Sequence, residues 1–336
     1  MAYTDWLDPS GILLGPSFPL PLDSPFTRST AAQADLNGPV LDTLVRLGLL
    51  KRPLHGVYVA TQAPDTLAMR ALTLQLVVSP HSVITDRTAA WLHGVTILER
   101  GAHLVAPRVS AFNANDSRIR RSGVRGGRRG LLDRDVMDLG GLRVTTPVRT
   151  ACDIGRMQWR FDALAGLDGY LRIGVDLDEV LYELPRFRGY RGVCQLRYLA
   201  PLADARSESP GESALRLHWY DAGLPTPEPQ CWVFDSLGRP IYRVDLGLPE
   251  LRYAAEYDGE EFHTDDADVE HDNAGRAWLE GQNWIVEVFD KRIYTTVDPV
   301  PRLRQGFEQA RRSVSIWTPG LPGTPVTARP VPVVHL

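Results

Sequence analysis

Four acidic residues in the last third of the chain, Glu212, Asp245, Glu256 and Asp258, have the types and spacing to gather around a divalent cation. Residues 241–246 and 253–257 read as strands joined by the short connection Pro249-Glu250-Leu251-Arg252. A turn centred on Glu250 and Leu251 puts Asp245 opposite Glu256. Directly opposed side chains hold their Cβ atoms about 4.5–5.5 Å apart. Side chains alternate along a strand, so Glu256 and Asp258 share a face and Tyr257 points away. Carboxylates gathered this closely raise one another's pKa unless a cation relieves them. Mg²⁺, or Mn²⁺ in its place, is the expected ion, because a hard cation prefers oxygen ligands. Such an ion polarises a phosphoryl oxygen and turns bound water into a nucleophile, which is the chemistry of phosphodiester hydrolysis. Glu212 would orient that water or a second ion, and His263 would serve as general acid or base or contact a phosphate.

The elements that must position these groups follow from the pattern around them. Pro210-Gly211-Glu212-Ser213 opens a helix through Ala222 with an apolar stripe of Leu215, Trp219 and Ala222, and Gly223 closes it. Residues 231–234 form a first strand, turned by Ser236-Leu237-Gly238-Arg239 into the second. After the third strand, residues 265–281 read as a helix and 284–289 as a buried strand, so the order is α-β-β-β-α-β. The acid-rich stretch between 260 and 272 suits a solvated helix start, where acid is favoured.

Upstream, Thr27 caps a short helix through Leu36, Asn37-Gly38 breaks it, and Val40, Leu41, Leu44, Val45 and Leu47 make residues 39–47 a second helix. Gly48 ends that helix, and residues 49–59 follow as two strands about a turn. Helix, turn, helix and basic hairpin is the order of a winged helix, whose recognition helix enters the DNA major groove. Arg46, Lys51 and Arg52 would then lie near phosphates. The segment from Arg118 to Arg129 holds six arginines (Arg118, Arg120, Arg121, Arg125, Arg128 and Arg129) and no acid, a composition suited to phosphate or to a solvated hairpin. Arg149 and Asp153, four apart, suit an ion pair at a helix start.

The expected organisation of this mixed α+β chain is an irregular lead-in (1–23), a winged-helix-like unit (24–62), and a middle α+β and helical region (63–204). A domain holding the acidic cluster (206–298), a helix (299–316) and a proline-rich tail (317–336) complete it. The 336 residues are enough for two or three domains. Net charge is −4, divided as +3 over residues 1–140 and −7 over the rest, so basic groups are concentrated early. No apolar run reaches a membrane span, and the opening residues lack the basic-then-apolar pattern of a secretory signal. Cys152, Cys194 and Cys231 lack zinc-site spacing, and a reducing cytoplasm is the expected compartment.

The segments Tyr242-Arg243-Val244-Asp245-Leu246, Leu248-Pro249-Glu250, Ala255-Glu256-Tyr257-Asp258-Gly259 and Phe262-His263 together resemble the PD-(D/E)XK nuclease superfamily. They are closest to its branch related to the very-short-patch repair endonuclease. The resemblance implies a mixed sheet flanked by helices, Mg²⁺ dependence and DNA cleavage. It makes Asp245 and Glu256 metal ligands, Glu212 the acid on the helix and His263 the nearby histidine. Asp258 stands where the superfamily usually has a lysine, leaving Lys291 or Arg243 as substitutes. Roughly residues 25–160 resemble AbiEi-type antitoxins of type IV toxin–antitoxin systems. That likeness rests on Arg46-Leu47-Gly48-Leu49-Leu50, His55-Gly56-Val57-Tyr58-Val59, Ala89-Ala90-Trp91-Leu92-His93-Gly94 and the stretch from Val144 to Asp153. It implies DNA as a partner and a cognate toxin as a second. Two main readings follow: a Mg²⁺-dependent DNA endonuclease, or an AbiEi-like repressor or antitoxin with an inactive nuclease fold. A nuclease directed at RNA is the third.

Overall fold

The structure is a computed structural model that describes residues 3–95, 97, 108–113, 124–125, 129–259 and 275–317. His263, the acid-rich stretch, Arg118, Arg120, Arg121, Arg128 and nearly all of the proline-rich tail lie outside the described residues. The chain divides into two compact units, Met1–Asp153 and Ile154–Leu336, and is mixed α+β.

The first unit opens with β1 (Phe26–Thr27), α1 (Arg28–Gln33), α2 (Gly38–Arg46), β2 (Leu50–Leu54) and β3 (Val57–Ala60), the strands ordered β1-β3-β2 and all antiparallel. The Thr27 hydroxyl accepts the Thr30 N–H at 3.1 Å, and the Asn37 side-chain amide oxygen accepts that of Val40 at 3.1 Å. Each cap satisfies a donor that the first helical turn leaves unpaired. Gly48, at φ +73°, ends α2 in the left-handed conformation that glycine adopts most easily. The lead-in is irregular in secondary structure, yet it is packed. Trp6, Leu14, Phe18 and Leu20 are buried with Phe26, Leu41, Leu44 and Tyr58, because the helices and sheet leave that apolar face to be covered.

Beyond α3 (Leu67–Gln75) a five-stranded sheet runs β6-β5-β4-β8-β7. Its strands are β4 (Ser82–Ile84), β5 (Val109–Asn113), β6 (Val124–Arg125), β7 (Val136–Leu139) and β8 (Leu142–Thr145). Helix α4 (Asp86–Leu92) follows β4, and Leu74, Ile84, Leu92 and Val144 lie in the core. Helix α5 (Pro147–Met157) carries the chain into the second unit.

There, α6 (Arg160–Arg172), α7 (Leu177–Glu183) and α8 (Val193–Leu199) precede α9 (Pro210–Asp221). The break expected near residue 205 lies inside this unit. Asp168 of α6 accepts from the Arg216 guanidinium at 2.5 Å and the Ser213 hydroxyl at 2.6 Å, both on α9, and from the Asp204 N–H at 2.8 Å. These buried polar contacts tie α9 to the helices before it. A four-stranded sheet, β12-β11-β10-β9, follows from β9 (Glu228–Phe234), β10 (Pro240–Leu248), β11 (Tyr253–Asp258) and β12 (Ile285–Asp290). β9–β10 and β10–β11 are antiparallel and β11–β12 is parallel, with helical residues 275–281 in the crossover. α10 (Pro299–Trp317) comes last. Among the described residues, no helix is long and apolar enough to cross a membrane.

Candidate functional site

The acidic cluster is built by strand register. Leu246 pairs with Ala255 and Gly247 with Ala254, the register that the turn at Glu250-Leu251 sets, and the paired ladder ends there, with Asp245 and Glu256 the next residue on each strand. On the other side Val244 pairs with Cys231 and Leu246 with Pro229, which sets Gln230 opposite Asp245. Gln230 donates to Asp245 and the Glu256 charge acts on Asp245, so these three side chains form a polar row.

Helix α9 brings Glu212 to this row. Ser209 caps the helix by accepting the Glu212 N–H at 3.1 Å, and the Glu212 carboxylate accepts the Glu208 N–H at 2.8 Å. The same carboxylate oxygen accepts from the Gln230 amide at 2.7 Å, and that amide reaches Asp245 at 3.4 Å. Close seating of the helix depends on Gly211, since a Cβ there would lie 2.0 Å from the Tyr257 ring. Gln230 holds a left-handed backbone, φ +54°, which is uncommon for a residue with a side chain.

Asp245 is a perturbed acid in this row. Burial, then the Glu212 charge and, more weakly, the Glu256 charge push it up to about 8, while the Tyr257 N–H, donating at 2.7 Å, partly offsets them. Glu256 is buried and turned to Arg276, whose Nε donates at 2.7 Å; Arg276 Nη2 lies 3.8 Å from the Asp258 carboxylate. Thus a guanidinium from residues 275–281 supplies the positive charge beside Glu256 and Asp258. Arg243 instead forks onto Glu208 at 2.8 and 3.0 Å, and Lys291 is exposed after β12. Among the described residues, no three acid, histidine or cysteine side chains converge as a preformed metal cage. The donors present, two carboxylates and an amide, suit a hard cation chemically, and a cation would relieve the raised Asp245.

Gln230 and Arg276 are the site residues that sequence reasoning missed. The Ser236–Arg239 turn misdirects at Gln230, because it sets Pro240 opposite Phe234 and a register shift between Pro240 and Tyr242 then moves the pairing of β10 by one residue. Arg276 carried no signal, since its reach depends on how the crossover helix packs.

In the first unit, Arg46, Lys51 and Arg52 are exposed, Arg46 at the end of α2 and the other two on β2. Arg125 lies on β6. Arg129, which the composition of its segment offered to phosphate, is held inside the unit. It pairs with Asp86 and with Asp153 at 3.2 Å, and lies 4.6 Å from the Phe112 ring centre. Arg149 reaches Asp135 at 2.7 Å and Asp153 at 2.9 Å, so the expected helix-start pair is one edge of a buried ionic network.

Residues 82–202 match the family described as the AbiEi antitoxin C-terminal domain. The chain is also 34% identical over 249 residues to two uncharacterized proteins of Mycobacterium tuberculosis, MT2308 and Rv2248. Each alignment spans 73% of this chain and 87% of the relative.

Proposed function

The chain belongs to the family of those mycobacterial proteins, and from that premise, with the antitoxin-domain match, we propose that it is a DNA-binding regulator of the antitoxin type. The observation that carries the reading is the opening β1-α1-α2-β2-β3 arrangement with exposed Arg46, Lys51 and Arg52. We read it as a winged helix: α2 lies in the major groove and the β2–β3 wing meets phosphates. Repression of its own promoter in the cytoplasm, and a cognate toxin as protein partner, follow from the antitoxin reading. Electrophoretic mobility shifts with DNA from upstream of its own reading frame test it. The wild type should retard that DNA, and Lys51→Ala/Arg52→Ala should weaken binding at least tenfold. Equal binding by both proteins would remove the wing from the interface.

A second reading is favoured by one observation, the Glu212–Gln230–Asp245 chain beside Glu256, with Asp245 raised to about 8. In it the second unit is a PD-(D/E)XK-type fold. Asp245, Glu256 and Glu212 would hold Mg²⁺ or Mn²⁺, which would supply a polarised phosphoryl oxygen and an activated water. Asp258 would belong to the site, His263 would serve as general acid or base or contact a phosphate, and Arg276 would give the positive charge that a lysine usually gives. Because Glu256 is occupied by Arg276, binding the ion requires that pair to open. Supercoiled plasmid with Mg²⁺ or Mn²⁺ separates the two readings. Nicking by the wild type and none by Asp245→Ala supports the nuclease, whereas an intact plasmid in both leaves the regulator alone.

A further inference from the structure

A cavity of about 470 Å³ opens within the first unit between the β2–β3 hairpin, α3 and α4. That volume falls within the ordinary range of small-molecule sites. Its body is apolar, formed by Leu54, Met69, Trp91 and Ile97. Among the described residues around that body stand five cationic side chains, Lys51, Arg52, Arg70, Arg87 and Arg108, and one carboxylate, Asp65.

Two of the cations are held in place. Arg70 donates to both Asp65 oxygens at 2.8 Å and to the Trp91 carbonyl oxygen at 2.7 Å, with its guanidinium 5.2 Å from the centre of the Trp91 ring. Arg87 donates to the Ile97 carbonyl oxygen at 3.0 Å. The indole and the thioether of Met69 give the apolar part of a ligand a polarisable surface. An uncharged ligand would make no use of Lys51 and Arg108 at the cavity, and a small inorganic anion would leave the apolar walls wet. We propose that this cavity is a binding site for a small amphipathic anion, an aromatic or branched apolar body carrying one carboxylate or sulfonate. Its apolar part lies on Trp91 and Met69, and its charge faces Lys51, Arg70 and Arg108.

The test uses the full chain and two fluorescent probes of nearly the same shape, 1-anilinonaphthalene-8-sulfonate and its uncharged counterpart N-phenyl-1-naphthylamine. The expected result is one saturable site that holds the sulfonate at least tenfold more tightly than the neutral probe. Lys51→Met/Arg108→Met should weaken the sulfonate at least tenfold and the neutral probe by less than twofold. Met69→Trp, which fills the cavity, should abolish binding of both while the circular dichroism spectrum stays that of the wild type. Equal affinity for the two probes would overturn the proposal, as would a folded Met69→Trp that binds as the wild type does. If Met69→Trp does not fold, the charge pair decides: sulfonate binding unchanged in Lys51→Met/Arg108→Met overturns it.

Discussion

Replacing Asp245 by Asn separates the acidic row from the rest of the fold, because it removes a charge and keeps the shape. The Asp245 carboxyl stands at about 8 in the folded chain against an ordinary 3.8, raised by burial and by Glu212. A raised acid holds its proton in the native state after the unfolded chain has lost it. The contribution is therefore complete below about pH 4 and is lost as pH climbs toward 8. Inside that window the native state binds one proton more, so wild-type stability falls by about 1.36 kcal/mol per pH unit relative to Asp245→Asn. Between pH 5 and pH 7 the difference amounts to about 2.7 kcal/mol, and the water that reaches this partly buried carboxyl reduces it toward half. Groups common to the two proteins cancel in the comparison. Urea unfolding with EDTA present, followed by circular dichroism at pH 5, 6 and 7, gives the two stability curves. Asp245→Asn should gain on the wild type at each step upward in pH. A difference that stays flat within about 0.5 kcal/mol, or that runs the other way, refutes the assignment of a strained acid to this position.

Three further outcomes follow from the geometry. Gly211→Ala drives a Cβ to 2.0 Å from the Tyr257 ring and should cost about 1–3 kcal/mol, seen as a lowered melting temperature; an unchanged melt would mean that α9 is free to shift. Arg149→Met leaves Asp135 and Asp153 buried with their shared guanidinium removed, and should cost about 3–5 kcal/mol in urea unfolding, whereas a loss under about 1 kcal/mol would contradict the network. Arg276→Met removes the guanidinium from Glu256, so under the cation reading millimolar Mn²⁺ should raise the melting temperature of this variant more than that of the wild type; an equal response in the two would count against it.

Much of the second unit was legible because short turns fix registers. Glu250-Leu251 is the centre of the β10–β11 connection, and the observed Leu246–Ala255 pair is the one that this turn demands. The cap at Thr27 and the stop at Gly48 were equally readable, each being local chemistry, while Asn37, read as a break, proves also to cap α2. Less was legible where distant packing decides. Arg129 looked like one of six exposed arginines, yet Asp86, at φ +52° at the start of α4, and Asp153 draw it inside. The break at Ser209-Pro210-Gly211 has the composition of a linker, but here Ser209 caps a helix that Asp168 binds through Arg216. The order of the functional readings also changed. The carboxylates put cleavage first on sequence, whereas the match over residues 82–202 favours the antitoxin-type regulator.

If the first unit grips DNA through the β2–β3 wing, salt weakens the complex in proportion to the phosphates that Lys51 and Arg52 contact. Fluorescence anisotropy with labelled promoter DNA over 50–300 mM KCl gives the slope of log K against log[salt] for the wild type and for Lys51→Ala/Arg52→Ala. Each lost phosphate contact lowers that slope by about 0.9, so the double variant should be shallower by about 1.8. Parallel lines for the two proteins would contradict the account.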